Sequence, residues 1–239
     1  MWPFRKYSIL DSGVLEGGTD WHCHILPGVD DGVQTMEKSL EVLDFYESTG
    51  IREVWLTPHI MEDCPNETAA LKARFTALLA AYNGPITLHL AAENMIDTLF
   101  EARFAAGDLL TFKNNLLLVE TSYFNPPMAF NQTMDEIRLR GYIPILAHPE
   151  RYVYMGSADY AHLKEAGVLF QLNLMSLAGL YGKAATEKAS LLLCQGMYDF
   201  LGSDLHRLSP WRHAIEEKLL SKKEFSALQE LRSRMDFYR

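Results

Sequence analysis

Cysteine is scarce in this sequence. Of 239 residues only Cys23, Cys64 and Cys194 are cysteines, with no CxxC spacing and an odd total. That excludes a small disulfide-stapled scaffold and fits reduced thiols in a reducing compartment. Positive charge is also short: 22 Lys+Arg against 31 Asp+Glu give a formal net charge of −9. An acidic total argues against non-specific binding to nucleic acid or to an anionic membrane, both of which need a basic footprint. No apolar run approaches the ~18 residues of a membrane helix. The opening stretch MWPFRKYSILDSGVLEGG has basic residues but no continuous apolar stretch behind them, unlike a secretory signal. Low-complexity segments and repeats are absent too. With 48% hydrophobic and 22% charged residues the composition is globular, which rules out disorder. The expectation is a cytoplasmic protein without membrane insertion: a single domain over 1–239, with 1–18 as an N-terminal extension.

What is present is an alternation. Short apolar runs at 19–25, 53–59, 86–93, 115–121, 143–148, 168–173 and 198–204 read as strands. Longer amphipathic stretches at 35–49, 67–82, 97–106, 129–140, 159–166, 183–194 and a pair within 210–235 read as helices. Leu40, Val42, Leu43 and Phe45, for example, carry the spacing of one apolar helix face. Gly50, Gly141, Gly167 and Gly196 each close a helical stretch, a position that favours the left-handed conformation glycine adopts without penalty. Strands alternating with helices imply parallel pairing through right-handed crossovers. Seven such units favour a TIM-like barrel over an open doubly wound sheet.

Ionisable side chains fall where such folds build their sites. Of eight histidines, His22, His24, His59, His148 and His206 sit at or just past strand ends, as do Glu93, Glu120 and Asp204. His22 and His24 are two apart on one strand, and Asp204 and His206 repeat that spacing on the last, so each pair projects to one face. Aliphatic strands such as IPILAH and LHLAAE end in groups that are expensive to bury unless paired or coordinated. One such histidine alone would be an ordinary hydrogen-bonded residue; the convergence of all of them predicts a metal site. Cys23 lies between the two first-strand histidines and so points to the opposite face, as a small core residue. His89 is mid-strand and reads as interior, while His162 and His213 lie in helices and read as surface. Imidazole and carboxylate without thiolate suit Mn, Fe or Zn in a catalytic site. With Asp31 from GVDDGV there are nine candidates, too many for one ion, which suggests two or three divalent ions sharing carboxylates.

The string TDWHCHILPGVDDG at 19–32, with TPH at 57–59, AHPERY at 147–152 and GSDLH at 202–206, resembles the PHP (polymerase and histidinol phosphatase) superfamily. More narrowly, H-x-H-x-L-P-x-x-D-D-G with a later A-H-x-E-R-Y is similar to the bacterial manganese-dependent protein-tyrosine phosphatases of capsule and exopolysaccharide export. The resemblance spans about residues 15–215. It implies an α/β fold, a distorted TIM-like (β/α)7 barrel, holding three ions, most often Mn. His22, His24, Glu93 and Asp204 would hold the first ion, with Glu93 bridging to a second completed by Glu120 and His148. Asp31, His59 and His206 would hold the third. Arg151 matches an arginine that binds the substrate phosphate. A second such arginine usually follows the D-x-H pair; in HRLSPWRH the choice falls on Arg212, with Arg207 as the rival.

The activity so implied is hydrolysis of phosphotyrosine by a metal-activated hydroxide, on a phosphotyrosine protein such as a bacterial tyrosine autokinase. A phenol leaves at a pKa near ~10, so no general acid is assigned. A cysteine-based mechanism is excluded by the residues themselves, because Cys-x5-Arg would need arginine where Val29, Ala70 and Phe200 stand. Two alternatives are a small-molecule phosphatase of the histidinol-phosphate type and a non-catalytic binding module. Tyr123, Phe124, Pro126, Pro127, Met128 and Phe130 form an aromatic, proline-rich loop that reads equally as a wall of the substrate pocket or as a hydrophobic cover.

Overall fold

The computed structural model describes residues 5–235. Nine strands alternate with nine α-helices among them. The strands are β1 (Thr19–Cys23), β2 (Glu53–Leu56), β3 (His59–Ile60), β4 (Thr87–Leu90), β5 (Glu93–Met95), β6 (Leu116–Glu120), β7 (Ile143–Ala147), β8 (Leu169–Asn173) and β9 (Phe200–Gly202). The helices are α1 (Met36–Ser48), α2 (Thr68–Ala81), α3 (Thr98–Ala106), α4 (Phe130–Leu139), α5 (Ser157–Glu165), α6 (Leu174–Leu177), α7 (Gly182–Cys194), α8 (Leu208–Glu216) and α9 (Lys222–Met235).

Every strand pair is parallel, as the alternation requires. The strands form a three-stranded sheet, β1-β2-β4, and a six-stranded sheet, β3-β5-β6-β7-β8-β9. The α/β class therefore holds, but the strands do not form one continuous ladder. Two of the expected strands are each broken in two. At 57–58 the break falls on Pro58, which has no N–H to donate. At 91–92 the amide of Ala92 leaves the ladder and donates to Leu110 O (3.2 Å). β1 and the end of β9 meet through a parallel bridge between Cys23 and Leu205, where Asp204 N donates to His22 O at 2.7 Å and His24 N to Leu205 O at 3.0 Å.

Local chemistry explains the helix ends. Thr35 caps α1 by accepting from Lys38 N, and Asp97 caps α3 by accepting from Phe100 N at 2.8 Å. Gly50 ends the turn after α1 with φ +89°, a value only glycine holds without strain. The core is aromatic at one end: Trp21 of β1 stacks on Trp55 of β2 at 5.9 Å and meets Phe200 of β9 at 4.8 Å. Tyr7 pairs in both directions with Leu220, and Ile9, Val14 and Leu15 are buried, so the described part of the leading segment packs on the body.

Candidate metal centre

A register shift between Asp20 and Cys23 in β1 marks a bulge, the kind of irregularity that re-aims side chains beside a site. His22 and His24 are both fully buried there, with their Nε2 atoms 3.0 Å apart. Cys23 between them is buried elsewhere, its Sγ 3.5 Å from Trp55 O. The chain leaves β7 and β9 through His148 (φ +34°) and Asp204 (φ +49°), left-handed conformations uncommon for residues with a side chain. Both turn inward on the histidine pair.

Glu93, the first residue of β5, stands at the centre. Its Oε2 lies 3.1 Å from His22 Nε2, 3.2 Å from His24 Nε2 and 3.2 Å from His59 Nδ1; its Oε1 lies 3.0 Å from His148 Nε2. Asp204 Oδ1 faces His24 Nε2 at 3.3 Å and His22 Nε2 at 3.5 Å. Glu120, ending β6, puts Oε1 at 3.0 Å from His59 Nδ1 and Oε2 at 3.8 Å from His148 Nε2. Asp31 is exposed and closes the outer side, with Oδ1 3.2 Å from His206 Nε2 and 3.7 Å from His59 Nε2. Candidate ligand atoms thus fall into three overlapping groups: His22–His24–Glu93–Asp204, His59–Glu93–Glu120, and His24–Asp31–His59–His206. All nine residues singled out in the sequence come together here, His148 reaching the cluster through Glu93.

The hydrogen-bond chemistry fits a cation. Gln171 Oε1 accepts at 2.9 Å from His22 Nδ1, and Asp30 Oδ2 accepts at 2.8 Å from His24 Nδ1. Each Nδ1 therefore carries the hydrogen, and each neutral ring offers a bare Nε2 lone pair. Two lone pairs and carboxylate oxygens then face one another at 3.0–3.5 Å. A set made only of acceptors needs either extra protons or a metal ion between them. The buried Glu93 Oε2, Glu120 Oε1 and His59 Nδ1 have no hydrogen-bond partner among the described residues. In the metal-free protein protons do this work. Burial opposes charge on His22, but Glu93 and Asp204 outweigh it and push the ring up to about 9. His24 rises well above its ordinary value against the same burial, through Asp204, Asp30 and Glu93. Despite burial, His22 and its neighbouring imidazoles hold Glu93 and Asp204 well below the carboxylate range. Asp31, hydrogen-bonded by His206, is lowered to about 2.

A cavity of about 420 Å³ opens onto the cluster, lined by Glu93, Tyr123, His148, Arg151, Tyr181 and Arg207 among others. Arg151 follows His148 on a short 3-10 turn (Pro149–Arg151). Its Nη1 donates to Asp204 Oδ2 at 2.8 Å, and its guanidinium lies between the rings of Tyr123 (4.3 Å) and Tyr181 (4.0 Å). The structure does not bring Arg212 to this cavity. Its guanidinium sits over the Phe45 ring at 4.6 Å, and Arg207, at the start of α8, lines the cavity instead. The aromatic loop divides: Tyr123 is a cavity wall and Phe130 is buried, while Phe124 and Met128 are exposed. His89 is half-buried on Trp55 and paired with Glu53 at 2.8 Å, and His162 and His213 are exposed.

Asp30, Gln171, Asn173 and Tyr181 escaped the sequence reading. Asn173 Nδ2 donates to Asp204 Oδ2 at 2.7 Å, and Asp30 also accepts from His59 N at 3.1 Å. The signal was available for two of them: FQLN places polar Gln171 and Asn173 in a buried strand end, the same pattern that exposed His148.

Fold and cluster define the class: a parallel α/β protein able to hold metal at the ends of its strands. Residues 18–223 match the family described as capsular polysaccharide synthesis, CpsB/CapC, and the chain belongs to that family. It is 31% identical over 216 residues to the tyrosine-protein phosphatase YwqE of Bacillus subtilis (strain 168), covering 87% of this chain and 85% of that protein. It is 27% identical over 213 residues to the tyrosine-protein phosphatase CpsB of Streptococcus pneumoniae, covering 79% of this chain and 83% of that one. A chain from the crystal structures of YwqE and CpsB, described as unique metal-dependent tyrosine phosphatases, superposes with a TM-score of 0.75 at 27% identity. That match covers 91% of this chain and 94% of the other.

Proposed function

We propose that this protein is a metal-dependent protein-tyrosine phosphatase, with Glu93 at the centre of its site. The observation that carries the reading is the acceptor-only cluster of His22, His24, Glu93 and Asp204 beside Arg151. Two or three divalent ions fit it, Mn first and Fe or Zn as rivals. His22, His24, Glu93 and Asp204 would hold one ion, Glu93, Glu120 and His148 a second, and Asp31, His59 and His206 a third. Bound divalent ions supply positive charge and make hydroxide available at neutral pH by lowering the pKa of water.

The chain's own residues do the rest. Asp204 and the two tyrosine rings fix Arg151, so its remaining N–H groups are pre-aimed at the anionic oxygens of a phosphate in the cavity. Arg207, which lines that cavity, is a better second phosphate-binding group than Arg212. Gln171 and Asp30 hold the rings of His22 and His24 in the tautomer that presents Nε2. Tyr123 and Tyr181 offer aromatic faces beside Arg151 to the phenyl ring of a phosphotyrosine.

We also place the protein in the cytoplasm, acting on a tyrosine autokinase of polysaccharide export. Among the described residues no helix is long and apolar enough to cross a membrane. The meeting of β1 with the end of β9 supports a single domain built as a distorted seven-stranded barrel. The test is to assay manganese-loaded protein on a phosphotyrosine peptide, a phosphoserine peptide and histidinol phosphate, with and without chelator. Chelator-sensitive turnover of phosphotyrosine above the other two is expected. Preference for histidinol phosphate would move the protein to the small-molecule branch, and inactivity towards all three would make it a binding module.

A further inference from the structure

A second cavity, of about 450 Å³, lies on the α1–α8 side of the molecule and shares His206 and Arg207 with the first. Its charged lining is Lys38, Arg207 and Arg212 against Glu41 alone. Glu41 is already neutralised by Lys38 at 2.6 Å. Among the described residues neither Arg207 nor Arg212 makes a hydrogen bond or a close ion pair; Arg212 lies over the face of Phe45 at 4.6 Å, within electrostatic reach of Glu41. With Lys38 and Glu41 offsetting each other, two solvent-facing guanidiniums leave the groove basic on a chain whose net charge is −9. A local field of this sign draws anionic groups that the rest of the surface repels.

We propose that this groove receives acidic side chains flanking the phosphotyrosine in the substrate polypeptide. The inference rests on the phosphatase reading, because the shared residues make the groove a continuation of the catalytic cavity. A polypeptide with its phosphotyrosine against Arg151 has to leave over the rim, and over His206 and Arg207 it meets Arg212 and Lys38. Exposed pairs of this kind are weak and screened by salt, so the effect falls on KM and not on kcat.

The test compares three phosphotyrosine peptides, with acidic, neutral or lysine residues on both flanks, on manganese-loaded protein. Wild type is expected to show a KM about threefold to tenfold lower for the acidic peptide than for the neutral one, with the difference shrinking in high salt. In Lys38→Glu and in Lys38→Glu with Arg212→Glu that preference should disappear or turn towards the lysine-flanked peptide. Turnover of p-nitrophenyl phosphate, which does not reach the groove, should stay within about twofold in Lys38→Glu. Lys38 is exposed in the first turn of α1, where glutamate suits the helix dipole, so the single variant folds. Fluorescence anisotropy of the same peptides reads binding apart from turnover. Acid preference in binding without turnover would count against the phosphatase reading and uphold the groove. Equal binding and equal KM for all three peptides, or a preference untouched by both variants, would overturn it.

Discussion

Two sets of buried carboxylates lie close together in this fold and are treated in opposite ways. Asp20 and Glu150 are surrounded by neutral donors. Asp20 accepts from Tyr46 Oη (2.7 Å), Ser203 Oγ (2.7 Å) and Ser203 N (2.8 Å). Glu150 accepts from Ser176 Oγ (2.7 Å), Tyr198 Oη (2.8 Å) and Asn173 N (3.1 Å). Burial outweighs those bonds and raises the pKa of both. Glu93 and Asp204 are just as buried but face imidazoles, which hold them low. Burial of a carboxylate therefore does not mark a site. The type of neighbour does: hydroxyl and amide donors make a structural bolt, whereas imidazole lone pairs make a place for a cation.

The sharpest way to break this contrast is the same isosteric change at one member of each set. The Glu93 carboxylate meets four imidazole nitrogens with two oxygens, whereas Glu93→Gln leaves one oxygen and puts an NH2 donor in place of the other. Turnover should fall about a thousandfold or more, the scale of losing a principal electrostatic element, and metal content should fall with it. His148→Ala, which removes a candidate ligand on the other side of Glu93, should abolish turnover likewise. Elemental analysis beside steady-state kinetics checks both; a Glu93→Gln protein that keeps full metal and full rate would dissolve the distinction.

Protons standing in for metal give the next effect. A ring raised from 6.5 to about 9, as His22 is, stabilises the metal-free fold fully below pH 6.5 and loses that contribution as pH rises to about 9. The melting temperature of chelated protein should therefore fall over that window, and metal-loaded protein should lack the fall. Binding of Mn should also release protons at pH 7, measurable by calorimetry in buffers of different ionisation enthalpy. No release, or identical pH curves for both forms, would contradict the competition.

Why so much of the site was legible follows from the same contrast. An aliphatic strand ending in an ionisable group, as in IPILAH or LHLAAE, is a local statement that the chain cannot disguise. What sequence leaves open is phase and partner. Helix α8 begins at Leu208, two residues before the proline taken as its start, and Pro210 is tolerated within the first turn. That phase leaves Arg207 on the cavity and turns Arg212 onto Phe45. The breaks at Pro58 and Ala92 are likewise tertiary: one is a missing donor, the other an amide claimed by Leu110. Only the fold shows which of the adjacent carboxylates Asp30 and Asp31 holds His24.

Glu150→Gln is the counterpart of Glu93→Gln and should do little. Oε1 still accepts from Ser176 and Asn173, while the new amide donates to Tyr198, whose hydroxyl can turn to accept. The cost should stay below about 1 kcal/mol near neutral pH. A raised carboxyl binds its proton more tightly in the folded state, so wild-type stability falls as pH rises from 4.5 through the folded value, and the variant should lose that slope. Denaturant unfolding from pH 4 to 8 reads it; a variant that keeps the slope would show that Glu150 is not its source.

The smallest effect on turnover belongs to Cys23→Ser, and its smallness is what makes it informative. Cys23 sits between two candidate ligands, yet burial pushes its thiol well above the ordinary value, the reverse of what a thiolate nucleophile needs. Its Sγ donates to Trp55 O at 3.5 Å. Serine keeps a donor there and gives up a little packing, for about 1 kcal/mol of stability and a shift of about 2–4 °C in Tm. Turnover per metal-loaded molecule should be unchanged. A folded, metal-replete Cys23→Ser protein without activity would mean that the strand presents its thiol, and not its two imidazoles, to the chemistry.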